Sequence, residues 1–345
     1  MRVLVTGGAG FIGSQLVGRL CDEGHEVVVL DRVAERVDQR ARLVHGDLVD
    51  HDVCAEAVQG VDVVSHQAAR VGLGRDPTDL PLYAADNDLG TATLLAALWE
   101  ARFAGRLVLA SSMVVYGEGR YRCATHGLVR PAARRPADLD AGRFESPCPA
   151  CGSPLTWELV PEAAPFDPRS GYAATKAAQE HLVSAWAREV GASVVALRYH
   201  NVYGPGLPRD TPYAGVAALF LSSLLRGESP QVFEDGNQTR DFVHVADVAE
   251  ANVLALVGPT AAAPGELVPL NVCSGRPVTI MEVAQSLSRA LAGPEPVVTG
   301  QWRPGDVRHV VADPAEATQV LGFGATVGLD DGLAQLAGVP PLPLR

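Results

Sequence analysis

The chain has 345 residues, of which 47% are hydrophobic and 20% are charged, and its formal net charge at pH 7 is −12. A chain of this length can bury a substantial core, and no segment approaches the roughly 20 apolar residues that a membrane-spanning helix requires. The acidic balance argues against binding to nucleic acid, which normally requires a basic patch. We therefore expect neither a membrane nor a nucleic acid as a partner.

Short β-branched runs alternate with helix-period segments over the first 200 residues. Strands are predicted at 3–5, 26–30, 43–44, 61–64, 106–110 and 193–197, and helices at 12–21, near 51–59, near 85–103 and at about 172–190. This alternation predicts a doubly wound parallel sheet of the Rossmann type, with ligands at the carboxyl ends of the strands. Residues 117–170 are expected to be loop-like. Beyond about residue 203 a smaller mixed α/β lobe is expected.

A glycine-rich turn, TGGAGFIG at residues 6–13, directly follows the first strand and opens the first helix. Glycine lets the backbone turn tightly and approach a pyrophosphate, whose charge the helix amino end favours. The expected contacts are Gly7, Gly10, Phe11, Ile12 and Gly13; a glycine-rich turn without a ligand is the alternative. Asp31 closes the second strand, where a carboxylate binds both ribose hydroxyls and repels a 2′-phosphate, so NAD is favoured over NADP. Arg32 follows it and could soften that preference.

Further cofactor contacts are expected where the third and fourth strands end. They are Asp47, Leu48, Gln67, Ala68 and Ala69. A plain helix cap is the alternative for Asp47. Asn87 is expected to start the fourth helix, where it either orders a water or the strand ends, or serves as an N-cap.

Tyr172 and Lys176 lie four residues apart, on one face of a predicted helix. Free tyrosine titrates near 10, so it is a poor base at neutral pH. We expect the lysine and an oxidised nicotinamide to stabilise the phenolate, and a shift of about 3 pKa units needs roughly 4 kcal/mol. Ser112 closes the fifth strand and is expected to hydrogen-bond the same substrate oxygen.

Five motifs together resemble the ordered motifs of extended short-chain dehydrogenases/reductases. They are residues 6–13, 111–117 (SSMVVYG), 172–176 (YAATK), 198–206 (RYHNVYGPG) and 240–247 (RDFVHVAD). The chain is most similar to nucleotide-sugar 4-epimerases of the UDP-galactose 4-epimerase group. The resemblance implies catalysis by Ser112, Tyr172 and Lys176, a cofactor contact at Tyr199, and a homodimer formed through the helices near 85–103 and 172–190.

The same resemblance implies a set of substrate contacts. Asn201, Arg240 and Arg303 are expected at the pyrophosphate or base, and Asp306 at the nucleotide ribose. Apart from the resemblance, Val216 and Phe233 are candidates for the pocket of the base in the second lobe. Residues 1–200 are then expected to form an NAD-binding Rossmann domain that carries an insertion at 118–165. Residues 201–345 are expected to form mainly a substrate-binding lobe, partly interleaved with the first domain.

The two residues that follow Ser112 limit which reactions the site can catalyse. Similar 4,6-dehydratases and decarboxylating xylose synthases carry an acidic residue there, whereas this chain has Met113 and Val114, which cannot transfer protons. The sequence therefore predicts NAD-dependent inversion at C4 of a UDP- or dTDP-linked sugar through a 4-keto intermediate. A nucleotide-sugar dehydrogenase or ketoreductase, a 4,6-dehydratase, and a non-enzymatic NAD sensor are the alternatives.

The insertion carries two ligand pairs, Cys123 with His126 and Cys148 with Cys151. This spacing favours a tetrahedral structural zinc, with unligated loop cysteines as the alternative. The segment resembles the cysteine-containing segment of bacterial dTDP-L-rhamnose 4-epimerase-like proteins and is expected to fold over the cleft mouth. The lone cysteines at 21, 54 and 273 predict buried free thiols. Reduced cysteines, and a strand pattern at residue 3 where a signal peptide would lie, together favour a cytoplasmic enzyme.

Three other histidines lie in or next to predicted strands: His66, His200 and His244. We expect each of them to pack in the core or beside the site rather than to take part in catalysis.

Overall fold

The computed structural model describes residues 1–72, 74, 76–209, 215–259 and 262–338. The strands are β1 Arg2–Thr6, β2 Glu26–Asp31, β3 Arg42–His45, β4 Val63–His66, β5 Arg106–Ser112, β6 Arg120–Cys123, β7 Gly127–Val129, β8 Thr156–Glu158, β9 Ser193–Tyr199, β10 Asn201–Tyr203, β11 Gln231–Val232, β12 Thr239–His244, β13 Leu267–Val272, β14 Pro277–Thr279, β15 Val297–Val298 and β16 His309–Val310. The helices are α1 Phe11–Asp22, α2 His51–Ala57, α3 Leu80–Tyr83, α4 Gly90–Glu100, α5 Pro136–Asp140, α6 Gly171–Val190, α7 Val216–Leu225, α8 Val245–Val257, α9 Ile280–Ala290, α10 Ala315–Leu321 and α11 Leu329–Leu336. Short 3₁₀ turns cover Pro77–Asp79 and Met113–Tyr116, and a π-helical segment covers Ala84–Leu89.

Seven parallel strands form the main sheet, in the order β13-β9-β5-β4-β1-β2-β3. Alternate residues of a strand face opposite sides of the sheet, and both sides are covered. Val3 and Val5 of β1 join one apolar cluster, whereas Leu4 between them joins the other. Burial on both faces explains why Val and Leu dominate these strands. The predicted doubly wound Rossmann-type fold is confirmed.

The seventh strand, β13, was not predicted. It lies at the edge of the sheet, pairs with β9, and contains Pro269 opposite Ala196. A proline within an apolar run argues against a central strand because it removes a backbone donor, but an edge strand tolerates that loss. The chain therefore returns to the first sheet long after residue 203.

The expectation that residues 117–170 are loop-like is wrong in part. The strands β6, β7 and β8 form an antiparallel sheet, and α5 follows β7. In β6, Tyr121 and Cys123 are buried whereas Arg122 is exposed. The alternation was legible in the sequence, but the strands are only three or four residues long, too short for pattern recognition among prolines and arginines.

The second lobe contains a four-stranded sheet of β10, β12, β14 and β16, packed with α7, α9 and α11 around an aromatic core. Tyr203 and Phe242 contact each other edge to face in that core, with ring centroids 6.1 Å apart. In contrast, α8 packs on the main sheet through Val248 and Ala251. Across the described ranges, no helix combines the length and apolarity needed to span a bilayer.

Candidate active site

The glycine-rich turn is closed by its own backbone. Gly10 N–H donates to the Gly7 carbonyl at 3.0 Å, and Gly7 has a φ of +69°. A Cβ at Gly13 would lie 2.1 Å from the Gly7 oxygen, so only glycine fits there. Helix α1 then begins at Phe11 with no side-chain cap and no acidic residue in its first turn. Its free N–H groups can therefore bind an anion by donating hydrogen bonds to it.

Asp31 is held rigidly at the end of β2. One carboxylate oxygen accepts the Ala9 N–H at 2.9 Å and the other accepts the Val33 N–H at 2.9 Å. Arg32 points to carboxylates instead, with nitrogens 3.3 Å from Asp47 Oδ2 and 3.4 Å from Asp86 Oδ2. The Arg32 charge is thereby paired next to Asp31.

A cleft of about 660 Å³ opens at this edge of the sheet, a size within the usual range for small-molecule sites. Nine of the predicted cofactor residues line it: Gly7, Gly10, Asp31, Arg32, Asp47, Leu48, Gln67, Ala68 and Ala69. Phe11, Ile12 and Gly13 lie in the first turn of α1, where the Ile12 side chain packs on the core. Asp86 also lines the cleft and was missed, since one acid within a helix carries no signal of its own.

Tyr199 lies in a buried hydrogen-bond network. Its hydroxyl accepts from Asn252 Nδ2 at 2.8 Å and from Gln67 Nε2 at 3.0 Å. Burial raises the pKa of Tyr199 well above its ordinary value. The structure therefore joins Tyr199 to the cleft through Gln67. Sequence reasoning missed Asn252, which lies on α8 far along the chain.

The expectation that Asn87 starts a helix is wrong. Helical structure is continuous from Leu80 to Glu100, and Asn87 lies within its π-helical segment, fully buried. Its side chain accepts from Arg70 N at 2.7 Å and donates to Arg70 O and to Thr175 Oγ1. Asn87 thus ties the loop after β4 to α6, a role that sequence cannot show because both partners are distant.

Helix α6 carries the predicted acid/base pair. Ser170 caps it by accepting the Ala173 N–H at 3.1 Å, which places Tyr172 and Lys176 on the first two turns. Lys176 Nζ donates to the Ala110 carbonyl of β5 at 2.8 Å. Ser112 ends β5 close enough to Tyr172 to lower the pKa of the tyrosine hydroxyl. The structure therefore brings all three predicted catalytic residues together beside the cleft-forming edge of the sheet.

Among the protein's own groups, burial outweighs what stabilises a Tyr172 phenolate. Burial raises the pKa of Tyr172 to about 12, opposed by the Ser112 hydrogen bond. Burial also lowers the pKa of Lys176 to about 7, against the attraction of Glu180 and Asp88. We expected the lysine to lower the pKa of Tyr172. In the protein without a bound nicotinamide that pKa is raised instead, and the lysine is itself desolvated.

One acid near this pair was missed. Asp88 has a buried Oδ1 without a hydrogen-bond partner among the described residues, and burial raises its pKa to about 6. Lys176 is the charge that opposes this rise.

The two residues that follow Ser112 carry no acid. Met113 Sδ lies 3.6 Å from Asn201 Nδ2, and the Val114 N–H donates to the Ser112 hydroxyl.

The predicted substrate residues lie mostly in the second lobe. The Arg303 guanidinium stacks over the Phe233 ring, 4.8 Å from its centroid. Arg240 donates to three backbone carbonyls, those of residues 239, 307 and 308, and forms no ion pair within the described chain. Asn201 donates to the Asp241 carbonyl at 2.9 Å. Val216 begins α7 and packs against the lobe core.

Asp306 lies among cations in this lobe. Burial raises its pKa, whereas Arg240, Arg303 and Arg134 oppose the rise. Arg134 belongs to the insertion and was not predicted, because nothing in a run of arginines marks one as buried.

The three buried histidines match the packing interpretation. His66 bridges Thr6 and Thr91 at 2.7 and 2.9 Å, and burial lowers its pKa to about 3. Burial likewise lowers the pKa of His200 to about 3. His244 caps α8 by accepting the Ala246 N–H.

The four insertion residues predicted as ligands converge. Cys123 Sγ lies 3.7 Å from Cys151 Sγ, and His126 Nδ1 lies 3.6 Å from the sulfurs of both Cys123 and Cys148. All four ligand atoms lie within 4.8 Å of one another. The backbone N–H groups of His126 and Thr125 lower the pKa of Cys123 to about 7.

The NAD dependent epimerase/dehydratase family matches residues 3–132 and 151–273, which is most of the chain. The protein belongs to this family. The gap between the two matched ranges, residues 133–150, lies inside the insertion. The resemblance drawn from the five motifs is therefore confirmed.

Relatives within the family carry different activities in their names. The dTDP-L-rhamnose 4-epimerase of Burkholderia thailandensis is 33% identical, over 97% of this chain and 93% of that protein. The dTDP-glucose 4,6-dehydratase of Streptomyces niveus is 31% identical, over 97% and 91%. The crystal structure of the Thermus thermophilus UDP-glucose 4-epimerase in complex with NAD superposes with a TM-score of 0.77 at 32% identity, covering 98% of each chain.

Proposed function

We propose that this family member is an NAD-dependent epimerase that inverts C4 of a UDP- or dTDP-linked sugar through a transient 4-keto sugar. The observation that carries the proposal is the meeting of Tyr172, Ser112 and Lys176 at the edge of the sheet where the dinucleotide cleft opens. NAD held in that cleft by the glycine-rich turn and Asp31 would supply a reversible hydride acceptor for C4.

The protein's part in the reaction is to move one proton. Tyr172 takes the proton of the C4 hydroxyl and gives it back, while Ser112 holds the same oxygen by a hydrogen bond. Lys176 lies one helical turn further along α6, and its ammonium, together with a bound oxidised nicotinamide, would favour the charged state of the tyrosine oxygen. A buried site excludes water, which protects the keto sugar between the two hydride steps.

Asp31 supports NAD rather than NADP. Its carboxylate is fixed by two backbone N–H groups at the cleft wall, and a 2′-phosphate there would meet a like charge. Arg32, which could have compensated, is paired with Asp47 and Asp86.

The charges and rings of the second lobe favour a substrate that carries a nucleoside diphosphate. Arg240 is a half-buried cation held by carbonyl groups and without an ion pair in the described chain. An anion such as a diphosphate satisfies such a cation. Phe233 and Arg303 offer a flat stacking surface beside it for a base. We propose that residues 201–345 supply most of this substrate lobe.

A 4,6-dehydratase is the second candidate, favoured by the 31% identity to the Streptomyces niveus enzyme. Removing water across C5 and C6 needs a further proton carrier next to the serine. Met113 and Val114 occupy those positions and carry no transferable proton. Epimerisation therefore remains the better proposal.

The test is to incubate the purified protein with a panel of UDP- and dTDP-linked hexoses, hexuronates and 6-deoxyhexoses, without added cofactor, and to follow them by NMR. We expect a pair of C4 epimers to reach equilibrium, and Tyr172→Phe to slow that reaction by about 10²–10⁴-fold. Accumulation of a 4-keto-6-deoxy sugar would identify a dehydratase. Stoichiometric NADH would identify a dehydrogenase, and unchanged activity in Tyr172→Phe would refute the assigned acid/base.

We also propose a structural zinc at Cys123, His126, Cys148 and Cys151. Zinc bonds of about 2.3 Å to sulfur and about 2.0–2.1 Å to nitrogen place tetrahedral ligand atoms about 3.5–3.8 Å apart. The three distances of 3.6, 3.7 and 3.6 Å fit that geometry. Four protein ligands leave no open position, so the metal would hold the insertion together rather than act on substrate.

A homodimer and a reducing compartment complete the proposal. Leu94, Leu95 and Leu98 of α4 lie in the core, whereas Leu89 is 54% and Trp99 62% exposed. Together with Leu182 on α6 they offer an apolar surface for a second copy. None of the six cysteines forms a disulfide, which suits the cytoplasm.

A further inference from the structure

The insertion places one arginine inside the second lobe. The Arg134 side chain is only 5% exposed and its Nη1 lies 2.8 Å from the Glu234 carboxylate, itself 1% exposed. Its Nη2 donates to the backbone carbonyl of Asp306 at 2.6 Å, and Nη1 also reaches the Phe144 carbonyl at 3.4 Å. Its Nε is buried without a hydrogen-bond partner in the described chain. The guanidinium thus joins two segments that carry predicted substrate residues.

The first segment is the turn at Glu234. This residue has a φ of +52°, in the left-handed region that non-glycine residues rarely adopt. Its N–H donates to the Gln301 carbonyl at 2.7 Å, and its carbonyl accepts the Gly300 N–H at 3.2 Å. Because Phe233 directly precedes this strained residue, the contacts of Glu234 hold the backbone from which the Phe233 ring projects.

The second segment is the turn from Arg303 to Asp306. Asp306 N–H donates to the Arg303 carbonyl at 3.3 Å, which closes the turn, and Arg134 holds its far end. A further link comes from α5 of the insertion, where Asp140 accepts the Trp302 indole N–H at 2.9 Å. The insertion therefore contacts this turn at both sides.

Charge adds to the geometry. Arg134, Arg240 and Arg303 all act on the Asp306 carboxyl, so three cations share one region of the lobe. Arg134 lies within residues 133–150, the internal stretch between the two parts of the chain that match the family pattern. Arg134 is thus a cation outside the matched family pattern.

We propose that Arg134 is a positioning residue for the nucleotide end of the substrate, holding the Phe233–Glu234 turn and the Arg303–Asp306 turn in the spacing that a nucleoside diphosphate needs. The proposal rests on the proposed function. It makes the insertion part of the substrate site, although none of its residues need touch the reacting sugar carbon. Arginine suits the position because its planar fork reaches a carboxylate and a carbonyl at once, whereas lysine offers one point charge.

The test compares Arg134→Gln with Arg135→Gln. Arg135 is the neighbouring residue, 77% exposed and paired only with Asp138 among its ion-pair contacts. In Arg134→Gln the Glu234 carboxylate keeps Arg308, whose Nη1 lies 2.9 Å away, so no buried charge is left alone. Binding of UDP and of dTDP is measured by calorimetry, alongside retained NAD and the melting temperature.

We expect Arg134→Gln to weaken nucleoside diphosphate binding about 10-fold or more and to raise KM with little change in kcat. Arg135→Gln should bind as the wild type does, and Arg134→Lys should recover part of the loss. NAD content should be equal in all variants. Wild-type binding of UDP or dTDP in Arg134→Gln overturns the inference, as does a parallel loss of NAD, which marks a general folding role. If the wild-type protein itself binds neither nucleotide, the proposed function fails and takes this inference with it.

Discussion

Lys176 is the only lysine in the chain, and it is 3% exposed with a single hydrogen bond, from Nζ to the Ala110 carbonyl. Burying an ammonium group is unfavourable unless it is fully paired. The lowered pKa of about 7 expresses that cost, which Glu180 and Asp88 offset only in part. The position favours chemistry over stability, as catalytic positions commonly do.

Lys176→Met should therefore abolish activity and still stabilise the fold at low pH. The folded lysine titrates near 7 and the unfolded one near 10.5, so between these values the unfolded chain binds a proton that the folded chain does not. Wild-type stability rises with pH through this window. The variant's melting temperature should exceed the wild type's by several degrees near pH 6, at about 2–4 °C per kcal/mol, and the difference should shrink toward pH 9.

A direct check uses the single lysine. Lysine labelled with ¹³C at Cε gives one side-chain signal, and its titration should centre near pH 7. A midpoint near 10, or a variant no more stable than the wild type at pH 6, would contradict the account.

At the scale of elements, the insertion is a small sheet held at one end by the Cys/His cluster and docked at the other on residues 302–309. Tyr121 of β6 accepts the His309 N–H at 3.1 Å, and the Trp157 ring of β8 stacks on His309 with centroids 6.1 Å apart. Strands this short are rarely stable alone. A crosslink at the cluster would therefore support the docking surface.

Cys148→Ser should lose the metal. We expect about one zinc per chain in the wild type and less than about a tenth in the variant, measured by elemental analysis. Cys21→Ser, a half-buried cysteine outside the cluster, should keep the metal. The Cys148→Ser protein should also be cut faster by protease within the insertion. Equal zinc in both variants, or none in the wild type, would count against the site.

Sequence patterns predicted the elements whose signal is local. The first six strands of the sheet and the glycine-rich turn follow from apolar runs and spacing alone. The pattern did not predict β13, because Pro269 interrupts its strand signal. It also misplaced Asn87, whose role depends on contacts with Arg70 and Thr175. The role of Arg134 could not be predicted either, because tertiary contacts decide which of several arginines is buried.

At the scale of the whole molecule, the main sheet buries neutral histidines at its carboxyl edge. His66 and His200 are both enclosed, and burial lowers the pKa of each to about 3. The unfolded chain binds protons on both residues below about 6.5, whereas the folded chain does not. These two groups therefore make the fold lose stability as the pH falls from about 6.5 toward 3.

His66→Gln should flatten the acid limb of the stability curve. Each such histidine contributes up to about 1.4 kcal/mol per pH unit in this window, so the slope of the unfolding free energy should drop by about that amount. The measurement is urea unfolding between pH 6.5 and 4. His45→Gln, at an exposed histidine, serves as the control and should leave the slope unchanged. Parallel curves for His66→Gln and the wild type would show that other groups govern acid unfolding.

The edge position of β13 has a consequence for biosynthesis. Strand β9 ends at Tyr199, yet the strand that covers its open side ends at Val272, about 70 residues later. At 5–20 residues per second, a ribosome leaves that row of backbone groups uncovered for about 4–15 s. An exposed apolar strand edge is a template for pairing with other chains. A fragment ending near residue 200 would keep that edge open permanently, so the first half of the chain should aggregate when produced alone.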